Sequence, residues 1–170
     1  MTDHRIILAT IGSLGDLHPF LAVGQALLAR GARPVLAVPL DHVPKCRDAG
    51  LEAEAILPSF EELGRATGLD DDEIARKVMA DTNFLVSEIL LPPLGDSVDR
   101  LLAIASGADA IVGSVFALAA PIVAEARALP YISAVLQPMT WFSLRDPPVA
   151  PGFGGLAKPP WASLAGSGTG

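Results

Sequence analysis

One cysteine, Cys46, stands among 170 residues, which excludes an intrachain disulfide framework. A lone cysteine makes no metal site either, and Cys46 reads as a small apolar residue on a helix. Basic residues are few: 12 Lys and Arg face 19 Asp and Glu, for a formal net charge of -7. No basic cluster occurs, which argues against a nucleic-acid partner. No apolar run approaches the roughly 18 residues of a membrane-spanning helix, so the chain is not expected to be transmembrane. Met1-Thr2-Asp3-His4-Arg5 is polar and does not read as a signal peptide, so a cytoplasmic location is expected. The triplet G-K-[ST] is absent, which excludes a P-loop.

What is abundant is apolar sequence, 51% of the chain. Its short continuous runs suit strands of a parallel sheet covered on both faces. A length of 170 residues is enough for one domain of the usual size, about 100 to 200 residues. Strands are expected near 5–10, 34–38, 51–56, 110–112 and 131–136. Helices are expected near 17–30, 43–49, 94–106 and 118–128. The buried stripe of the first helix should be Leu17, Phe20, Val23, Leu27 and Leu28, with Gly31 as its stop. Such alternation makes an α/β fold with a doubly wound parallel sheet the natural solution. Residues 1–136 form the expected Rossmann-like domain, with a variable helical insertion at about 58–92 that Pro92-Pro93 ends. The Pro- and Gly-rich residues 137–170 read as an extended loop and a disordered tail.

The junction after the first strand draws most attention: Thr10-Ile11-Gly12-Ser13-Leu14-Gly15-Asp16-Leu17-His18-Pro19-Phe20. Gly12 and Gly15 should let the backbone turn sharply and approach a ligand, and Pro19 suits a first helical turn. Asp16 then sits at the carboxyl end of a parallel strand, where α/β sheets bind ligands. Two roles are open to it, a cap for the helix or a base for a bound hydroxyl. A dinucleotide site fits poorly, because G-x-x-G-D is not G-x-G-x-x-G and its carboxylate would repel a pyrophosphate. The acidic run Asp70-Asp71-Asp72-Glu73 invites a metal, but acids ahead of Ile74-Ala75-Arg76-Lys77-Val78 favour a helix N-terminus, and no metal is assigned.

These residues resemble a family. Gly12-Ser13-Leu14-Gly15-Asp16-Leu17-His18-Pro19 is similar to the N-terminal loop of bacterial GT-B glycosyltransferases that modify sterols, macrolides and glycopeptide antibiotics. A second block in the expected order comprises Ala110-Ile111-Val112-Gly113-Ser114, Ala119-Ala120-Pro121-Ile122-Val123-Ala124-Glu125-Ala126 and Leu129-Pro130-Tyr131. With Leu136-Gln137-Pro138, the resemblance covers most of residues 6–140.

The resemblance implies the acceptor-binding, N-terminal half of an inverting glycosyltransferase, with a nucleotide sugar as co-substrate and no cofactor or metal. The donor half would be a C-terminal domain in the same or a separate chain, since this sequence shows no donor signature. A domain cut from such a partner is expected to self-associate. Asp16 matches the presumed base of the antibiotic enzymes, and His18 is held as a second candidate although it falls two positions later. Ser114 stands where His-type relatives carry an orienting Asp, and is expected to cap the following helix or touch the acceptor. Gly12, Ser13 and Gly15 would line the acceptor site. A lipophilic small-molecule acceptor is expected from the apolar run Phe84, Leu85, Ile89, Leu90, Leu91 and from Met139, Trp141 and Phe142 beyond the last strand. The alternatives are a non-catalytic acceptor-binding or scaffold subunit and a nucleotide-sugar epimerase.

Overall fold

The computed structural model describes residues 4–136. The chain divides into two units, Met1–Ala134 and Val135–Gly170, and every element described here belongs to the first. In order these are β1 (Arg5–Ala9), α1 (Leu14–Ala29), β2 (Arg33–Pro39), a 3-10 turn (Leu40–His42), α2 (Val43–Asp48) and β3 (Glu52–Leu57). The insertion follows as α3 (Phe60–Thr67), α4 (Asp71–Ala80) and α5 (Thr82–Phe84), the last running into a π-helical turn (Leu85–Leu90). The chain then returns through α6 (Leu94–Ile104), β4 (Ala110–Ser114), α7 (Ala119–Ala126) and β5 (Tyr131–Ala134).

Among the described residues all four strand pairings are parallel, in the order β3-β2-β1-β4-β5. Ile7 lies opposite Val35 on one side and Ile111 on the other. Parallel neighbours need a crossover, and the helices supplying the crossovers cover the sheet. Ile7, Ala9, Val35, Ala37 and Ile111 pack with Leu101 of α6, with Ala105 at its C-cap, and with Ala120, Val123 and Ala124 of α7. Gly24 on α1 lies against Leu36 and Leu51, so close that a Cβ there would stand 3.0 Å from Leu51 Cδ1.

That close approach corrects the expected stripe of α1. Leu17, Phe20 and Gly24 are its buried positions, whereas Val23 and Leu28 are 47% and 49% exposed. The helix approaches the sheet through its smallest residue, which turns the neighbouring valine outward. Helix α1 also starts three residues before Leu17, at Leu14, so Pro19 lies inside the helix rather than in its first turn. Cys46 is buried on α2, and burial pushes its thiol up to about 11.

Strand order reverses at β1. The chain leaves β1 toward β2, whereas β4 joins the other side of β1 only after the insertion. This is the switch point of an open α/β sheet, where loops part and leave a crevice beyond the strands' carboxyl ends. The Gly12–Asp16 turn leaves β1 there, and the segment after Ser114 leaves β4 beside it.

Candidate active site

The turn after β1 is built by Ser13 and Asp16 acting on each other. Ser13 is the N-cap of α1, with φ -75° and ψ 178°, and its Oγ accepts the Gly15 N–H at 3.2 Å. Asp16, three residues on, returns its carboxylate to the start of the helix. The Ser13 N–H donates to Asp16 Oδ2 at 3.0 Å, and the Ser13 hydroxyl lies 3.4 Å from the same oxygen. This is a capping box with Asp in the place more often held by Glu, and the helix dipole favours the carboxylate there. Asp16 is therefore not the N-cap; Ser13 is, and S-x-x-D was the legible signal for it.

Of the two glycines, only Gly12 turns the chain. Its φ is +132°, and a Cβ on it would collide with Asp16 Oδ2 and lie 2.9 Å from Asp16 Cγ. Gly15 is an ordinary residue of the first helical turn, contrary to the expectation that both glycines bend the loop. Glycine at position 12 thus leaves the volume that the Asp16 carboxyl fills.

The remaining sequence-predicted residues scatter. His18 is exposed on α1, and positions two apart on a helix face different directions, so it does not join Asp16 through the helix. Ser114 ends β4, one residue beyond the Ala9–Gly113 pairing. The hydroxyls of Thr10 and Ser114 are both buried without a hydrogen-bond partner. Ser114 does not cap α7 through its side chain: the N-cap is Leu118, with no side-chain bond. Phe84 packs in a small apolar cluster around Leu63, Ile89 and Leu90, to which Ile11, Phe116 and Leu118 also contribute. The insertion is thereby seated on the two loops leaving β1 and β4. Met139, Trp141 and Phe142 lie outside the described residues.

The acidic run behaves as a helix start. Asp70 caps α4, its Oδ1 accepting the Glu73 N–H at 2.8 Å, and Glu73 completes the box. Among the described residues no group of three His, Cys, Asp or Glu is placed to hold a metal, and no helix is long and apolar enough to cross a membrane.

Sequence reasoning missed His42. It is 7% exposed, and its Nε2–H donates to the Gly12 carbonyl at 2.8 Å, while its ring meets Phe60 edge-on at 5.7 Å. The available signal was its position: it follows β2 directly, at the same carboxyl edge as the Gly12 turn.

Three comparisons with known proteins bear on this fold. No family model matches the chain. The glycosyltransferase SnogD from Streptomyces nogalater superposes with a TM-score of 0.59 and 25% identity, over 81% of this chain and 35% of its own. The chain has the Rossmann-like α/β fold of one part of the GT-B glycosyltransferases. The glycosyltransferase VinC, solved with dTDP, shares the fold at a TM-score of 0.59 and 20% identity, over 78% of this GT-B-like domain and 34% of VinC.

By sequence, the GT-B-like domain is 49% identical over 51 residues to the O-mycaminosyltylonolide 6-deoxyallosyltransferase of Streptomyces fradiae, over 30% of this chain and 12% of that enzyme. It is 30% identical over 148 residues to the sterol 3-beta-glucosyltransferase of Aspergillus fumigatus, over 86% of this chain and 10% of that enzyme. The chain thus spans about a tenth of the curated relatives it matches.

Proposed function

We propose that this domain binds the acceptor in an inverting transfer of sugar from a nucleotide sugar to a hydroxyl of a lipophilic small molecule. The observation that carries the reading is the Asp16 carboxylate, held at the strand-order reversal by a turn that only glycine at position 12 allows. The acceptor oxygen attacks the anomeric carbon as the bond from that carbon to the nucleoside diphosphate breaks. The hydroxyl proton passes to Asp16. One displacement inverts the anomeric centre, and the donor half, in the same or another chain, binds the nucleotide and takes up the charge of the leaving group.

The first-turn amides support a neutral guest over an anion. The Ser13 N–H is taken by Asp16, the Gly15 N–H by Ser13 Oγ and the Asp16 N–H by the Ser13 carbonyl. A phosphate would have to displace a carboxylate to reach them. The chemistry needs neither metal nor cofactor, and the reading places the reaction in the cytoplasm. The isolated domain would self-associate through the face that otherwise meets the donor half.

The test is Asp16→Asn in the protein that carries transfer activity. Asn keeps the size and much of the capping capacity but accepts no proton, so turnover should fall about 100-fold or more. His18→Ala should cost far less. Near-normal turnover of Asp16→Asn would leave Asp16 as a capping residue and favour the scaffold reading.

A further inference from the structure

We propose that His42 is a positioning residue for the Asp16 turn and ties that turn to the helical insertion, an inference that rests on Asp16 being the base. Three observations meet at the 3-10 turn after β2. The His42 Nε2–H holds the carbonyl of Gly12, the residue whose φ and missing Cβ make room for the Asp16 carboxyl. The same imidazole rests edge-on against Phe60, the first residue of α3. The neighbouring Asp41 accepts the Phe60 N–H at 2.6 Å, so α3 is anchored to this turn by backbone as well as by ring.

The circuit closes from the far side. Leu63, one turn along α3, belongs to the apolar cluster that Ile11 packs against, and Ile11 precedes Gly12. A shift of α3 is therefore felt at the Gly12 peptide twice, through His42 and through Ile11. A buried imidazole is costly unless its polar atoms are bonded, and here the bond is made to the one peptide whose geometry sets Asp16. The insertion is the region the reading assigns to the acceptor, so the way α3 packs sets where the carboxylate stands.

The test uses hydrogen exchange and NMR on the chain without donor or acceptor, then kinetics in the protein that carries transfer activity. His42→Phe keeps a ring against Phe60 and removes the donor; His42→Gln keeps an N–H near the position of Nε2 and removes the ring. In His42→Phe the amides of Ser13 and Gly15 should exchange about tenfold faster, the scale of one lost hydrogen bond. Core amides of Ile7, Val35 and Ile111 should be unchanged, and His42→Gln should restore most of the loop protection. In the active protein His42→Phe should lower kcat about tenfold with acceptor KM within about twofold.

Unchanged loop exchange, loop and core amides rising together, no rescue by Gln, or an unaltered kcat would each overturn the proposal. Should His42→Phe fail to fold, the unsubstituted chain decides. The His42 Hε2 must appear as a slowly exchanging proton with a cross-peak to the Gly12 or Ser13 amide, and its absence refutes the clamp. The exchange result does not depend on Asp16 being a base, whereas failure of Asp16→Asn would leave the clamp standing and remove its catalytic meaning.

Discussion

Gly12→Ala is the substitution that weighs the site's geometry most directly. Two costs can be read from the structure. A φ of +132° lies where L-residues rarely go, which costs about 1–3 kcal/mol. The new Cβ would also collide with Asp16 Oδ2 and come within 2.9 Å of Cγ, so the carboxylate must swing out and give up the Ser13 N–H, at about 1 kcal/mol for a lost cap interaction. The sum is about 2–4 kcal/mol, or about 6–12 °C in Tm at roughly 3 °C per kcal/mol for a chain of this size. Gly15→Ala is the control: its Cβ would meet only Ser13 Oγ at 3.4 Å, inside a helix, where alanine is favoured by about 0.5–1 kcal/mol. Its Tm should stay level or rise by up to about 3 °C.

A double-mutant cycle separates the two costs. Asp16→Ala alone forfeits the cap bond, and that bond is already lost in Gly12→Ala. The double variant should therefore cost about what Gly12→Ala costs, with a coupling of about 1 kcal/mol. Thermal and urea unfolding followed by circular dichroism measure all four proteins. A Gly12→Ala variant melting within 1 °C or so of the parent, equal losses at positions 12 and 15, or strict additivity in the cycle would refute the claim that Gly12 exists to make room for Asp16.

Other consequences follow from the same structure. Gly113→Ala would set a Cβ 2.9 Å from Ala120 Cβ and from the Tyr131 hydroxyl, so overpacking between β4, α7 and β5 should destabilise by about 1–3 kcal/mol in urea melts. Cys46, with its thiol pushed up to about 11 by burial, should react with a thiol reagent at pH 8 only as the chain opens, so its labelling should accelerate with added urea; the rate of a free cysteine at zero urea would contradict the burial. The Ser59 N–H and hydroxyl hold the Glu62 carboxyl below its ordinary value. The unfolded chain then binds that proton more readily, so the contribution of the α3 cap is present above the ordinary carboxylate range and is lost as pH falls through the lowered folded value. Glu62→Gln, which can still accept the Ser59 N–H but does not titrate, should flatten that acid limb in pH-dependent melts, and an unchanged limb would place the acid sensitivity elsewhere.

Much of the fold could be read along the chain because the deciding forces are local. Continuous apolar runs such as Val35-Leu36-Ala37-Val38, separated by helix-length segments, allow few arrangements besides a parallel sheet covered on both faces. The same holds for the Gly12–Asp16 loop, since a glycine turn and a helix start are written in neighbouring residues. Even the Ser13–Asp16 box is written in neighbouring residues, as S-x-x-D. The acids at 70–73 declared a helix start for the same local reason, Asp70 and Glu73 bonding each other's backbone.

The rest depends on pairs far apart in sequence, and only the tertiary structure decided it. Gly24 lies at the centre of the α1 contact because Leu36 and Leu51 stand beneath it, which no helical periodicity reveals. Gly113, the residue before Ser114, comes opposite Ala9 through the β1–β4 register, across 104 positions of chain. His42 reaches Gly12 because β1 and β2 are parallel neighbours whose carboxyl ends share an edge, although 30 residues separate them. Local sequence chose the elements and their caps. The sheet order, set by how those elements bury their apolar faces together, chose which side chains meet at the site.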